Sequence, residues 1–115
     1  MRTLSLLALA LLSSNGITAE VPLKTAQLLA DSATPVKIVC IGDSITGVYY
    51  HSGGLRAYPE MLEIALRKVY PTSPLSVRNA GISGDTTAGA LKRLDRDVLS
   101  HHPDLVTIMF GMNDL

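Results

Sequence analysis

The chain predicts an α/β fold in which a parallel sheet carries helices on its faces. Three observations lead there. Strand-like and helix-like stretches alternate as β-α-β-α-β across residues 36–110. The first and last strand-like runs, VKIVCI and LVTIMF, are almost continuously apolar and rich in branched residues, as in strands covered on both faces. Each strand-like run also ends in or leads into a glycine-bearing turn.

The elements follow in order. Residues 1–19 read as a signal peptide: Arg2 gives a positive start, an apolar run covers 4–12, and small residues precede a cleavage edge at Thr18-Ala19. The run is shorter than the ~20 apolar residues that span a bilayer, and no later segment is long and apolar enough to do so. Export makes the expected location secreted or periplasmic. Residues 20–34 form a lead-in, either a short helix or a loose segment. The domain proper is expected over 35–115. VKIVCI (36–41) is the first strand.

After the loop GVYYHSGGLR comes a helix with Pro59 in its first turn, where the missing N–H does no harm. Its expected apolar stripe is Met61, Leu62, Ala65, Leu66 and Val69. Glu63 and Arg67 have the favourable four-residue offset on the polar side, and Pro71 and Pro74 end the helix. LSVRNA (75–80) is the second strand. Asp85 or Thr86 caps the next helix, whose expected inner face is Ala88, Leu91, Leu94 and Val98, with Lys92, Arg93, Arg96 and Asp97 outside. Pro103 closes it, and LVTIMF (105–110) is the third strand.

Ten basic and ten acidic residues give a net charge of zero, so no basic stripe points to nucleic acid. Cys40 is the single cysteine, so no internal disulfide forms, and it sits in an apolar run as a small hydrophobe. No His/Cys cluster offers a metal site, and no cofactor is expected. GDSITG lacks the spacing of a dinucleotide fingerprint and the lysine of a phosphate loop. A phospho-receiver domain would want an acidic pair after the first strand, and only Asp43 stands there.

In open parallel sheets, ligands bind beyond the carboxyl ends of the strands. Those ends carry Gly42-Asp43-Ser44, Gly81-Ile82-Ser83-Gly84-Asp85 and Gly111-Met112-Asn113-Asp114. Acyl transfer needs a hydroxyl nucleophile, a base, and donors aimed at an oxyanion. Ser44 offers the hydroxyl and a backbone N–H. Gly84 offers an N–H with no side chain in the way, and Asn113 a side-chain amide. Asp43 and Asp114 suit supporting hydrogen bonds to backbone N–H groups.

GDSIT, NAGISGDTT and GMND together resemble blocks one to three of the SGNH hydrolases, or GDSL esterases and lipases. The resemblance runs from about Val36 to Leu115. It implies a three-layer α/β/α flavodoxin-like sandwich and a serine ester hydrolase that works through an acyl-enzyme on a small-molecule, glycan or lipid ester. It also implies that Ser44 is the nucleophile, that Ser44, Gly84 and Asn113 form the oxyanion hole, and that no metal takes part. The alternative is a non-catalytic ligand-binding relic of the same fold.

The family's catalytic histidine lies in a later Asp-x-x-His block, and no such block occurs in these 115 residues. His51 lies in the loop after Ser44. His101 and His102 precede the third strand, at the opposite rim. The C-terminal part is therefore expected to be missing, with the histidine beyond residue 115. In flavodoxin-like order the third strand is an unprotected edge, so this piece alone is expected to be poorly soluble or partly unfolded, and without the Asp-x-x-His block it is expected to be inactive.

Overall fold

The apolar run at the start of the domain forms the middle of a sheet. A computed structural model describes residues 23–115. The expected signal peptide and the first residues of the lead-in lie outside the described residues. The elements are α1 (Lys24–Asp31), β1 (Val36–Gly42), α2 (Tyr58–Val69), β2 (Leu75–Gly81), α3 (Thr87–Asp97) and β3 (Leu105–Met109). Short 3₁₀ turns occupy Tyr50–Ser52 and Leu99–His101. The lead-in thus resolves as a helix over most of its described length.

The three strands are parallel in the order β2-β1-β3. Val36 pairs with Leu75 and Gly42 with Gly81 on one side, and on the other Ile38 pairs with Leu105 and Gly42 with Met109. The strands therefore end together, and all three following turns share one rim. β1 is central, which explains its composition: Val36, Ile38, Val39, Cys40 and Ile41 are all 0–1% exposed. Burying each large side chain contributes roughly 1.5–3 kcal/mol.

Side chains alternate across the sheet and build two cores. Val36, Ile38 and Cys40 join Leu29 of α1 and Leu75, with Tyr58, Leu62, Leu66 and Tyr70 packed against them. Val39 and Ile41 join Ala80, Ala90 and Val98, with Leu94, Val106 and Phe110 against them. One helical layer thus covers each face.

Both helix faces depart from the sequence expectation. In α2, Met61, Ala65 and Val69 are exposed; the packed residues are Tyr58, Leu62 and Leu66, with Tyr70 just past the helix. Those positions follow one another at four-residue spacing, which is also a single helical face. The tyrosines complete it because each has an apolar body and a polar tip. The Tyr58 hydroxyl reaches the Thr107 hydroxyl at 2.8 Å, and burial pushes its pKa up, with the Thr107 bond opposing. In α3, Ala88 and Leu91 are exposed and Arg93 is buried. The α3 face turns because Arg93 finds four acceptors inside, described below.

Candidate active site

The first turn is built around Asp43, which is 2% exposed. Its Oδ1 accepts the Ile45 N–H at 2.9 Å. Its carbonyl accepts the N–H groups of Thr46 and Gly47. Three consecutive N–H groups are thereby used, and that of Ser44 takes part in none of these bonds. Ser44 itself is half-buried at the end of β1. The Asp43 side chain thus accepts one backbone N–H of the loop, and its carbonyl accepts two more.

Two residues from elsewhere clamp this turn. Asn79 of β2 donates from Nδ2 to the Thr46 carbonyl at 2.8 Å and to Glu60 Oε1 at 2.9 Å, while its Oδ1 accepts the Gly81 N–H at 2.9 Å. Glu60 Oε2 accepts the Ala57 N–H that precedes α2. Gly81 and Gly47 then touch backbone to backbone, since a Cβ on Gly81 would overlap the Gly47 nitrogen and Cα. The end of β2 thus lies directly against the serine turn.

The second turn is tied to the first by the Ile82 N–H, which donates to the Gly42 carbonyl at 3.0 Å. Gly84 has φ +73, a conformation that other residues rarely adopt, and the space beside it is open. The turn's internal bond runs from the Asp85 N–H to the Ile82 carbonyl and leaves the Gly84 N–H outside it. Of the two expected caps, Thr86 holds the start of α3: its hydroxyl accepts the Gly89 N–H at 3.1 Å.

The third turn reaches across to the second. Asn113 Nδ2 donates to the Asp85 carbonyl at 3.0 Å, which uses one hydrogen of the amide. Asp114 Oδ1 accepts the Thr87 hydroxyl and the Thr87 N–H at 2.8 Å for the latter. These two bonds, the hydroxyl first, hold the Asp114 carboxyl below its ordinary value. Asp114 is thus a support at the first turn of α3.

Beneath the rim lies Arg93, 7% exposed. Its guanidinium donates to the carbonyls of Ala80 at 2.8 Å and Gly42 at 3.0 Å, and to the carboxylates of Asp85 at 2.7 Å and Asp97 at 3.0 Å. Asp97 is held well below the usual carboxylate range, first by its hydrogen bond from Arg96, against burial, and then by Arg93. Removing one partner of such a buried pair costs roughly 3–5 kcal/mol, because the other charge is left unpaired.

The sequence reasoning missed Arg93, Asn79 and Glu60. Glu60 had a local signal, standing three residues after the residue that caps α2. His51 packs its ring edge-on against Tyr50, centroids 5.4 Å apart. His101 lines an open groove with Lys37, Ser76 and Arg78 near the amino ends of β1 and β2. Among the described residues, no group of three His, Cys, Asp or Glu side chains could hold a metal ion, and no helix is long and apolar enough to cross a membrane.

A parallel α/β sheet with a serine turn, a glycine turn and an asparagine turn on one rim defines the class to which known proteins can be compared. Residues 40–115 match the GDSL-like Lipase/Acylhydrolase family, and the chain belongs to that family. Over 90 residues it is 39% identical to an acetylxylan esterase of Geobacillus stearothermophilus, covering 69% of this chain and 40% of the relative. Over 87 residues it is 37% identical to an arylesterase of Vibrio mimicus, covering 76% and 42%. It superposes on a two-domain esterase active on acetylated mannans with a TM-score of 0.70 and 32% identity, covering 80% of this chain and 25% of that one. The chain thus spans less than half the length of these relatives. The flavodoxin-like fold implied by the sequence is the fold of these neighbours.

Proposed function

We propose that this chain supplies the nucleophile and the oxyanion-binding groups of a serine ester hydrolase. The carrying observation is the shared rim: the N–H groups of Ser44 and Gly84 stay outside their turns' own bonds, and the Asn113 amide is held by one hydrogen with the other to spare. Ser44 Oγ attacks the acyl carbonyl, and the developing oxyanion takes hydrogen bonds from those three donors. Collapse of the tetrahedral intermediate expels the alcohol and leaves an acyl-Ser44, which water hydrolyses. The base is a histidine of the whole protein, in the Asp-x-x-His block of the family pattern, with the aspartate orienting the ring.

The substrate we propose is an acetyl ester on a polysaccharide. The acetylxylan esterase and the esterase active on acetylated mannans, both similar to this chain, support that choice. Export by the 1–19 signal peptide would bring the enzyme to such a substrate. A relative that is an uncharacterized lipoprotein of Bacillus subtilis fits the same direction. The similarity to esterases gives the relic reading no support.

The test is Ser44→Ala in the full-length protein, assayed on an aryl acetate and on acetylated xylan. Turnover should fall by roughly 10⁴-fold or more. Turnover near the wild-type level would remove Ser44 from its role. Aryl acetate hydrolysis without acetate release from any acetylated glycan would refute the substrate alone.

A further inference from the structure

The proposed chemistry needs three donors from three separate turns to converge on one point, and a single side chain bonds to the regions that carry the first two and connects to the third through Asp85. Arg93 donates to the Gly42 carbonyl, two residues before Ser44. It donates to the Ala80 carbonyl at the end of β2, where the Gly84 turn begins. Its Nε binds the Asp85 carboxylate, next to Gly84. Asp85 in turn offers its carbonyl to the Asn113 amide.

We infer that Arg93, acting with Asp85, is a positioning residue of the oxyanion hole; the inference rests on the reading of the rim as an esterase site. Arg93 touches no reacting atom. Its planar fork sets the spacing between the end of β1 and the second turn, and Asp85 carries that setting on to Asn113. Lysine keeps the charge but has one nitrogen, so it reaches fewer of the four acceptors and fixes none of the angles between them. A displacement of about 1 Å at a reacting geometry costs on the order of 100-fold in rate. Aspartate at 85 has a second use: its Oδ1 accepts the Thr86 N–H, so its side chain is anchored on both oxygens.

The experiment compares Arg93→Lys with wild type in the full-length protein, well below the melting temperature of both. It reads kcat, KM and the affinity for a phenylboronic acid, whose serine adduct places an oxygen where the oxyanion forms. Arg93→Lys should lower kcat by about 10- to 100-fold, leave KM little changed, and weaken the boronic acid by a similar factor. A folded Arg93→Lys protein with kcat within about twofold of wild type would overturn the inference. So would a loss matched by the loss of folded protein, or one in which kcat falls while boronic acid affinity holds. If Arg93→Lys does not fold, Asp85→Asn decides by the same readouts, since asparagine keeps the Oδ1 bond to Thr86 and removes the ion pair. Ser44→Ala run in parallel separates the two levels. Full turnover there would sink the esterase reading and this inference together, whereas lost turnover there with normal Arg93→Lys kinetics sinks only the inference.

Discussion

The first two turns of the rim and the third are held in different ways. Around Ser44 and Gly84 the supports are buried: Asp43 at 2% exposure, Arg93 at 7%, and a β1 strand with almost no accessible surface. Around Asn113 they are exposed. The bonds of Asn113 to Asp85 and of Asp114 to Thr87 lie at the surface. The strand that leads there, β3, has Ile108 71% and Met109 44% exposed. The Ser44 turn is therefore fixed by packing and by desolvated polar contacts, whereas the Asn113 turn depends on hydrogen bonds with which water competes. One rim of a sheet can thus carry turns that are specified to very different degrees.

The largest expected effect contrasts the two strands directly. Ile38→Ala in β1 should lower the unfolding free energy by roughly 2–5 kcal/mol, and Ile108→Ala in β3, 71% exposed in these 115 residues, by no more than about 0.5 kcal/mol, both read from urea denaturation of the 115-residue chain. Equal losses would erase the contrast, because they would mean that β3 is as well covered as β1. Next comes Gly84→Ala. The φ of +73 there should cost about 1–2 kcal/mol, although the open space beside it means no clash adds to that figure. A neutral Gly84→Ala would show that the second turn relaxes easily and belongs with the third.

The remaining effect is read as a change with pH and concerns the buried clamp. The Asp97 carboxyl titrates lower in the folded chain than in the unfolded one. Its stabilisation is therefore complete above the unfolded value, near pH 4, and fades as pH falls toward the folded value. Melting temperature should drop through that acid window, and Asp97→Asn should flatten the drop. An unchanged acid profile in Asp97→Asn would remove Asp97 from the pH response.

Much of this was legible in the sequence, and the unread part has a common cause. The strands were readable because β1 and β3 are nearly uniform apolar runs, and the three turns because glycine, serine and asparagine occupy strand ends in a family order. The helix faces were not readable from hydropathy. Tyr58 and Tyr70 count as part polar yet pack against the core, and Leu91 counts as apolar yet stands 72% exposed. Arg93 was assigned to the outside because arginine usually belongs there. Its burial depends on carbonyls 13 and 51 residues away in the chain, and no local pattern encodes that. Asn79 was visible as a motif letter, but its hold on Thr46 depends on tertiary contact.

The central place of β1 also bears on how the chain is made. Its apolar run leaves the ribosome first among the strands, yet Val36 must wait for Leu75 and Ile38 for Leu105. At roughly 5–20 residues per second, that run spends on the order of seconds without either neighbour. Nascent chains stalled between β2 and β3 should therefore crosslink to a holdase chaperone through the segment around Cys40, and the finished protein should not.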